Sequence, residues 1–544
     1  MRSGAKVAIV GGVFVLMAGG LSYGAYTVLF DDGSGGGGIG SQSAPAEVKT
    51  GPPDAKEIAA TSKAFFAAWT SGNGAEAAEL TNNAADAEPV LTGYSTEAHI
   101  ENPVITPGPA VGATVPYTVK ATVSFEGKSK PLSYSSKLTV VRGLTTGKPL
   151  VDWQPTLVHP QLTKGATLVT GEPSAPEIEA VDRDGNALTA EKYPSLGPII
   201  ATLRQKYGEK AGGTAGIETW IKGADEATPD ITLLTLAKGK PGKVQTTIDA
   251  NVQAAAEEAV KQFDGASVVA VRPSTGAIRA VANNPATEFN VALEGQQAPG
   301  STMKIVTAAM LLERGKATAN GAVECPADVM YQGRTFHNLN NFSLPDGSTF
   351  TQTFANSCNT GFIKLIDDVD DDAALAKEAK EVFGIGQDWK TGVTSFDGSV
   401  PEETGGEAAA QYIGQGTIQM NVLNMASITA TARTGTFHQP VIVPLDLDGR
   451  PAATASRSLP SSVVQQLTTM MRATASWGTG AKAMASVGGD KGAKTGSAEV
   501  DGQGKSNSWF TGFSDDLAAA GVVQSGGHGG DAAGPIVAAV LRAG

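Results

Sequence analysis

Three short motifs occur in order along the chain: Ser301-Thr302-Met303-Lys304, Ser357-Cys358-Asn359 and Lys494-Thr495-Gly496. Together they hold the side chains of a serine nucleophile site that works by acyl transfer, with no histidine and no metal. A serine hydroxyl is a poor nucleophile at neutral pH, so a base must lie within hydrogen-bond reach to take its proton. At helical spacing, Lys304 stands one turn from Ser301 on the same face. Lys304 is a base only when neutral, which requires burial and a second cation to lower its pKa from about 10.4. Lys494 is the obvious second cation. Pro299-Gly300 predicts a helix that starts at Ser301, continues through Leu312 and stops at Gly315. A nucleophile at a helix N-terminus lies in positive potential and offers its own backbone N–H to a developing oxyanion.

The chain also carries decoys. Ser3 to Lys6 fits S-x-x-K, Ser71-Gly72-Asn73 fits S-x-N, and Lys390-Thr391-Gly392 is a second K-T-G. Ser3 and Lys6 precede an apolar segment and face the wrong side of it, and Ser71-Gly72-Asn73 reads as a turn closing a helix. Lys390 follows the glycine-punctuated loop Phe383 to Gln387, whereas Lys494-Thr495-Gly496 leads through a polar turn into the strand-like run Ser508 to Phe513. That hairpin context suits a substrate-docking strand.

This trio, in this order, is a signature of penicillin-binding proteins and class A β-lactamases. The agreement extends to Ala298-Pro299-Gly300, to Asn356 and Thr360, and to Ile413-Gly414-Gln415-Gly416. The chain resembles a class B penicillin-binding protein, a D,D-transpeptidase of cell-wall synthesis, over most of residues 50–544. The resemblance implies a transpeptidase domain over 243–544, an antiparallel sheet flanked by helices with a helical lobe inserted. It implies that Ser357 relays a proton toward the leaving amine and that Asn359 holds Lys304 and the substrate amide. Lys494 and Thr495 would bind the substrate carboxylate, and Gly496 would leave room for the substrate backbone. The N–H of Ser497, where the family often has threonine, would complete the oxyanion hole with that of Ser301. Ser301 would attack the carbonyl between the last two D-alanines of a peptidoglycan stem peptide, and an amine from a neighbouring stem would then take the acyl group. β-Lactams would acylate the same serine, and no cofactor is called for.

Other readings differ in detail. A class A β-lactamase needs an E-x-x-L-N-type glutamate after the second motif, and a class D enzyme usually has S-x-V where Ser357-Cys358-Asn359 stands. A D,D-carboxypeptidase differs only in using water as acceptor. A bifunctional synthase needs a glycosyltransferase domain, for which Asp54 to Leu162 is too short. A non-enzymatic wall or antibiotic sensor would normally carry a large cytoplasmic portion, and six residues precede the apolar segment.

The elements that must position the site follow from composition and pattern. The chain has 544 residues, 41% of them hydrophobic, and a net charge of -13 with no basic cluster beyond the N-terminus, which disfavours nucleic acid as partner. Val7 to Phe30 is uncharged, preceded by Arg2 and Lys6 and followed by Asp31 and Asp32. A span of that kind crosses a bilayer with its positive flank inside, and it exceeds the ~7–15 apolar residues of a cleaved signal peptide. The expected order is a cytoplasmic tail (1–6), a single transmembrane helix (7–30) and a flexible linker (31–53), with all later residues outside the cytoplasm at the cell membrane.

Residues 54–162 predict an α+β module: an amphipathic helix from Asp54 to Thr70, more helix, then strands near Thr114–Phe125, Leu132–Val141 and Leu150–Val158. The module resembles the NTF2-like domain of the MecA-type branch. Residues 163–242, with a charged helix near Ile199–Tyr207, resemble the pedestal region usually called a dimerisation domain. The family also implies a membrane-embedded glycan polymerase as a partner. In an oxidising compartment Cys325 and Cys358 have two readings, a bridge that pins the second motif or two buried free thiols. The five histidines show no metal spacing, and Asp368, Asp370 and Asp372 lack the glycine and closing glutamate of a calcium loop.

Overall fold

Small side chains let helices close on both faces of one sheet in the C-terminal half. The structure, a computed structural model, describes residues 49–173, 177–225, 228–500 and 502–544. The expected transmembrane helix over 7–30 lies outside the described residues, and no helix among those described is long and apolar enough to cross a membrane. Residues 50–544 form one compact unit.

Five strands, β1 (Ala266–Val271), β2 (Ile278–Asn284), β3 (Lys491–Ala498), β4 (Asn507–Ser514) and β5 (Leu517–Val523), pair in the antiparallel order β2-β1-β5-β4-β3. The central strands β1 and β5 are buried along their whole length, which is why they read as continuous apolar runs without alternation. The helices that position the site are α1 (Ala250–Val260), α2 (Lys304–Glu313), α3 (Val422–Thr434), α4 (Ser461–Ser476) and α5 (Ala533–Leu541). Val268 and Ala270 pack with α1 and α5, while Val269 and Val271 point into the larger core that holds α2 and α3. Residues of α3 from Val422 to Ala432 are all buried, the polar Asn424, Ser427, Thr429 and Thr431 among them. The edge strand β3 runs beside the nucleophile's turn, and α4 packs along it.

In the N-terminal part, Asp54 opens the helix Ala55–Thr70 with a reciprocal cap: its carboxylate accepts the Glu57 N–H at 2.9 Å and the Glu57 carboxylate accepts the Asp54 N–H at 2.9 Å. Helices Gly74–Glu79 and Ala84–Thr96 follow, then four strands, Ile100–Pro107, Thr114–Phe125, Lys128–Arg142 and Pro149–Val151, paired in sequence order. The last strand is shorter than expected. Pro155 lacks an N–H for a ladder and instead begins a 3₁₀ turn to Leu157. The first strand went unseen in the sequence because an irregularity between Glu101 and Val104, with Asn102 at φ +50° and Pro103 after it, breaks the period of two.

Residues 163–242 are divided between two cores. Strands Thr167–Gly171, Ile217–Lys222 and Ile231–Ala237 form a sheet whose Leu168, Ile221 and Leu236 join the N-terminal core. Leu188, Tyr193, Leu196, Leu203 and Tyr207 join the C-terminal core instead. The charged helix begins at Gly197, with Pro198 in its first turn, and ends at Tyr207.

Candidate active site

Ser301 lies on a 3₁₀ turn, Gly300–Met303, and the α-helix begins only at Lys304. The expected α-helical start at Ser301 is therefore corrected, although the alignment of the pair is preserved, because residues i and i+3 eclipse on a 3₁₀ turn. Close backbone contact explains the tight winding. The Gly300 N–H donates to Gly414 O at 2.9 Å. A Cβ on Gly414 would stand 1.8 Å from Gly300 O, and one on Gly300, at φ +55°, would stand 2.5 Å from Ser497 O. A Cβ on Gly496 would meet Pro299 O and Thr302 Cγ2, each at 3.0 Å. The space a side chain at Gly496 would need is thus taken by the turn that carries Ser301. Ser301 and Ser497 are both half-buried, and the Ser301 hydroxyl has no hydrogen-bond partner among the described residues.

Lys304 is fully buried at the start of α2. Its Nζ donates to Ser357 O at 2.8 Å and to Asn359 Oδ1 at 2.7 Å, and it lies 5.4 Å from the centre of the Phe362 ring. Burial, and after it the charge of Lys494, holds this amine well below the usual lysine range. A neutral amine has two N–H bonds and one lone pair. The two acceptors occupy the N–H bonds, which leaves the lone pair to receive a proton.

Lys494, on β3, is also fully buried, and burial lowers it to about 7. Its Nζ donates to Ser357 Oγ at 2.8 Å and to Thr495 O at 2.9 Å, and it lies 5.5 Å from the Phe354 ring centre. Among the described residues no carboxylate pairs with either lysine.

The second motif sits between helices Phe350–Ala355 and Thr360–Ile363, with Ser357 in the left-handed region at φ +59°. That conformation costs a non-glycine residue roughly 1 kcal/mol or more, so the surroundings must impose it. Cys358, fully buried between Ser357 and Asn359, is bridged to Cys325 across a Cα–Cα distance of 6.3 Å. Of the two readings of the cysteines, the structure has the disulfide. Asn359 Nδ2 donates to His337 O at 2.8 Å, which fixes which end of the amide faces Lys304.

On β3, Lys494 pairs with Thr511, Thr495 with Phe510 and Ser497 with Ser508, so one edge of the third motif is paired and the other is a free sheet edge. The Thr495 hydroxyl is 2.7 Å from that of Thr479, whose N–H donates to Ala355 O at 3.0 Å. Ser301, Lys304, Ser357, Asn359, Lys494, Thr495, Gly496 and Ser497 are thereby brought to one place by the turn before α2, the second-motif loop and β3.

Two contributors escaped the sequence reading. Thr479 had a visible signal, the turn residues Gly478 and Gly480 on either side of it, while Asn338 had none. Ser3 to Lys6 lie outside the described residues, and the other decoys lie elsewhere. Lys390 pairs with Asp388 at 2.7 Å, Ser71 caps a helix ahead of Gly72 at φ +78°, and Asp368, Asp370 and Asp372 are exposed ahead of helix Ala374–Glu381.

Residues 266–542 match the family described as penicillin binding protein transpeptidase domain. Peptidoglycan D,D-transpeptidase PbpA of Mycolicibacterium smegmatis is 28% identical over 342 residues, which cover 54% of this chain and 68% of that protein. Stage V sporulation protein D of Bacillus subtilis is 28% identical over 373 residues, covering 57% of this chain and 54% of that one. A crystal structure of Pseudomonas aeruginosa PBP2 shares the fold, with a TM-score of 0.56 and 21% identity over 68% of this chain and 96% of that chain. An acyl-serine constellation without histidine, on this sheet and with these relatives, leads to one family: the chain belongs to the penicillin-binding protein transpeptidases, as a class B penicillin-binding protein and serine-type D,D-transpeptidase.

Proposed function

We propose that the chain cross-links peptidoglycan stem peptides through an acyl-Ser301 intermediate. The observation that carries this reading is the pair of buried lysines without a carboxylate, one of them hydrogen-bonded to each side of Ser357. Neutral Lys304 takes the Ser301 proton as Oγ attacks the carbonyl between the two terminal D-alanines. The backbone N–H groups of Ser301 and Ser497 receive the oxyanion, and Lys494 with Thr495 holds the terminal carboxylate. A proton passes by way of Ser357 to the departing D-alanine amine. Attack by an amine of a second stem then reverses the sequence and frees Ser301.

The same reading places residues 7–30 in the cell membrane and the rest of the chain on the outer side, beside a membrane-embedded glycan polymerase. The charges flanking 7–30 support that placement, as does the Cys325–Cys358 disulfide, since such bonds persist outside the reducing cytoplasm. Residues 54–162 serve as an NTF2-like module with a core of its own, and 163–242 serve as a pedestal whose side chains join that core on one side and the transpeptidase core on the other.

Intact mass after incubation with a penicillin tests the reading. Wild type gains one persistent adduct and Ser301→Ala gains none. An equal adduct on Ser301→Ala removes the nucleophile assignment, and rapid loss of the wild-type adduct makes the chain a β-lactamase.

A further inference from the structure

Asn338 is buried, with 3% of its surface exposed, and lies in the connection between the hairpin Asp328–His337 and helix Phe350–Ala355. Its Oδ1 accepts the backbone N–H of Asn359 at 2.7 Å and that of Thr360 at 3.1 Å. Its Nδ2 donates to Pro326 O at 2.7 Å and to Phe342 O at 2.8 Å, and lies 3.4 Å from Cys325 Sγ. The carbonyl of the preceding residue, His337, takes the Asn359 side-chain N–H. Residues 337 and 338 therefore grip Asn359 at two points, backbone and side chain, and the remaining atom of its amide, Oδ1, meets Lys304 Nζ.

We propose that Asn338 is a positioning residue for the general base: by holding Asn359 it sets the direction of the Lys304 lone pair toward Ser301. Three features make this more than core packing. Both N–H groups gripped by Oδ1 belong to the turn that carries Asn359. The carboxamide of Asn359 can face Lys304 with oxygen only while His337 O stands at its nitrogen, because the two ends of an amide differ only in what they bond. The disulfide restrains position 358 but touches neither polar end of Asn359, so it fixes the loop without fixing that orientation. The inference rests on the acyl-Ser301 reading.

The test measures acylation of the full chain by a fluorescent penicillin, reading rate per competent site and final labelled fraction separately. Asn338→Ala is expected to keep most of its labelled fraction and to lose about 10- to 100-fold in rate, part of what a general base contributes. Asn338→Asp keeps the acceptor for the two N–H groups and loses the donors, so it is expected to label within about threefold of the wild-type rate while melting earlier. In an Asn359→Ala background, Asn338→Ala is expected to change the rate less than about twofold, the mark of a residue acting through another. If Asn338→Ala does not fold, Asn338→Ser, whose hydroxyl is too short to hold both N–H groups, takes its place with the same expected loss. A wild-type rate per site in the Ala or Ser variant overturns the proposal, as does an Asp variant as slow as the Ala variant. Failure of the wild type itself to label at Ser301 would instead remove the reading on which the proposal rests.

Discussion

Lys494 donates a 2.8 Å hydrogen bond to the Ser357 hydroxyl, and the carbonyl of that same serine takes one of 2.8 Å from Lys304. Two amines are thus gathered on one residue with no anion to balance them, and two protonated lysines there would repel in a dry site. Burial lowers both amines, and the charge of Lys494 lowers Lys304 further, so a cation on Lys494 favours a neutral Lys304. The pair titrates as a unit.

Acylation is therefore bell-shaped in pH. The rate rises as Lys304, held well below the usual lysine range, loses its proton, and falls as Lys494 loses its own, near its lowered value of about 7. Lys494→Ala slows acylation, removes the alkaline limb and shifts the acid limb to higher pH, because taking away a neighbouring cation lets Lys304 keep its proton longer. Labelling rates across the pH range check this; a flat profile in wild type contradicts it.

Stability responds with the opposite sign from function. Lys494 in the folded chain is lowered to about 7, so between that value and its unfolded pKa of about 10.4 the unfolded state binds more protons. Stability then rises with pH through that window, and the cost of the buried cation is fully present below it. Lys494→Met is expected to gain on the order of a few kcal/mol at pH 6, with the gain shrinking toward pH 10, while acylation is lost. Urea unfolding at the two pH values measures it.

Gly414→Ala is expected to lower acylation more than about 100-fold, since its Cβ would sit 1.8 Å from Gly300 O and push the nucleophile's turn off β3. Gly488→Ala, where nothing lies within 4 Å, serves as the silent control. Equal rates in the two variants would dismiss the interlock.

The Cys325–Cys358 bridge closes a loop of sequence separation 33, for which loop entropy gives about 3–4 kcal/mol. The double variant Cys325→Ala/Cys358→Ala is expected to lose about that much in denaturant unfolding. It also acylates more slowly, because Ser357 is no longer pinned at φ +59°.

His159 is buried against Tyr134 at a ring distance of 4.7 Å, and burial lowers it to about 4. Its Nδ1 accepts the Gln161 N–H at 3.3 Å, so the neutral ring is the form that fits. As pH falls from about 6.5 to 4 the unfolded state takes up a proton that the folded state refuses, and stability declines. His159→Phe flattens that part of the thermal-melt profile.

The motif residues were legible because nucleophilic chemistry demands particular side chains at particular spacings, and Ser301, Lys304 and Lys494 meet that demand in the chain itself. Asn338 was not: one asparagine whose partners Asn359 and Thr360 lie 21 and 22 residues away leaves no local pattern. Gly414 was quoted for its motif, yet its reason, a backbone 1.8 Å from where its Cβ would lie, belongs to tertiary packing alone. The hairpin of β1 and β2 followed from its apolar runs and turn, whereas the bulged strand Ile100–Pro107 hid behind Asn102 and Pro103. The splitting of residues 163–242 between two cores could not be read from periodicity, which reports that a face is buried but not against what.

The backbone interlock of Gly300, Gly414 and Ser497 has an evolutionary consequence. A Cβ at Gly300 or Gly414 would collide with a main-chain oxygen, so neither position takes a side chain without moving the serine's turn. Leu339, adjoining Asn338, and Trp477, two residues before Thr479, are exposed instead, so their side chains can change without moving the turn. Variation is thereby steered to side chains around the turn, and the serine's immediate frame stays fixed.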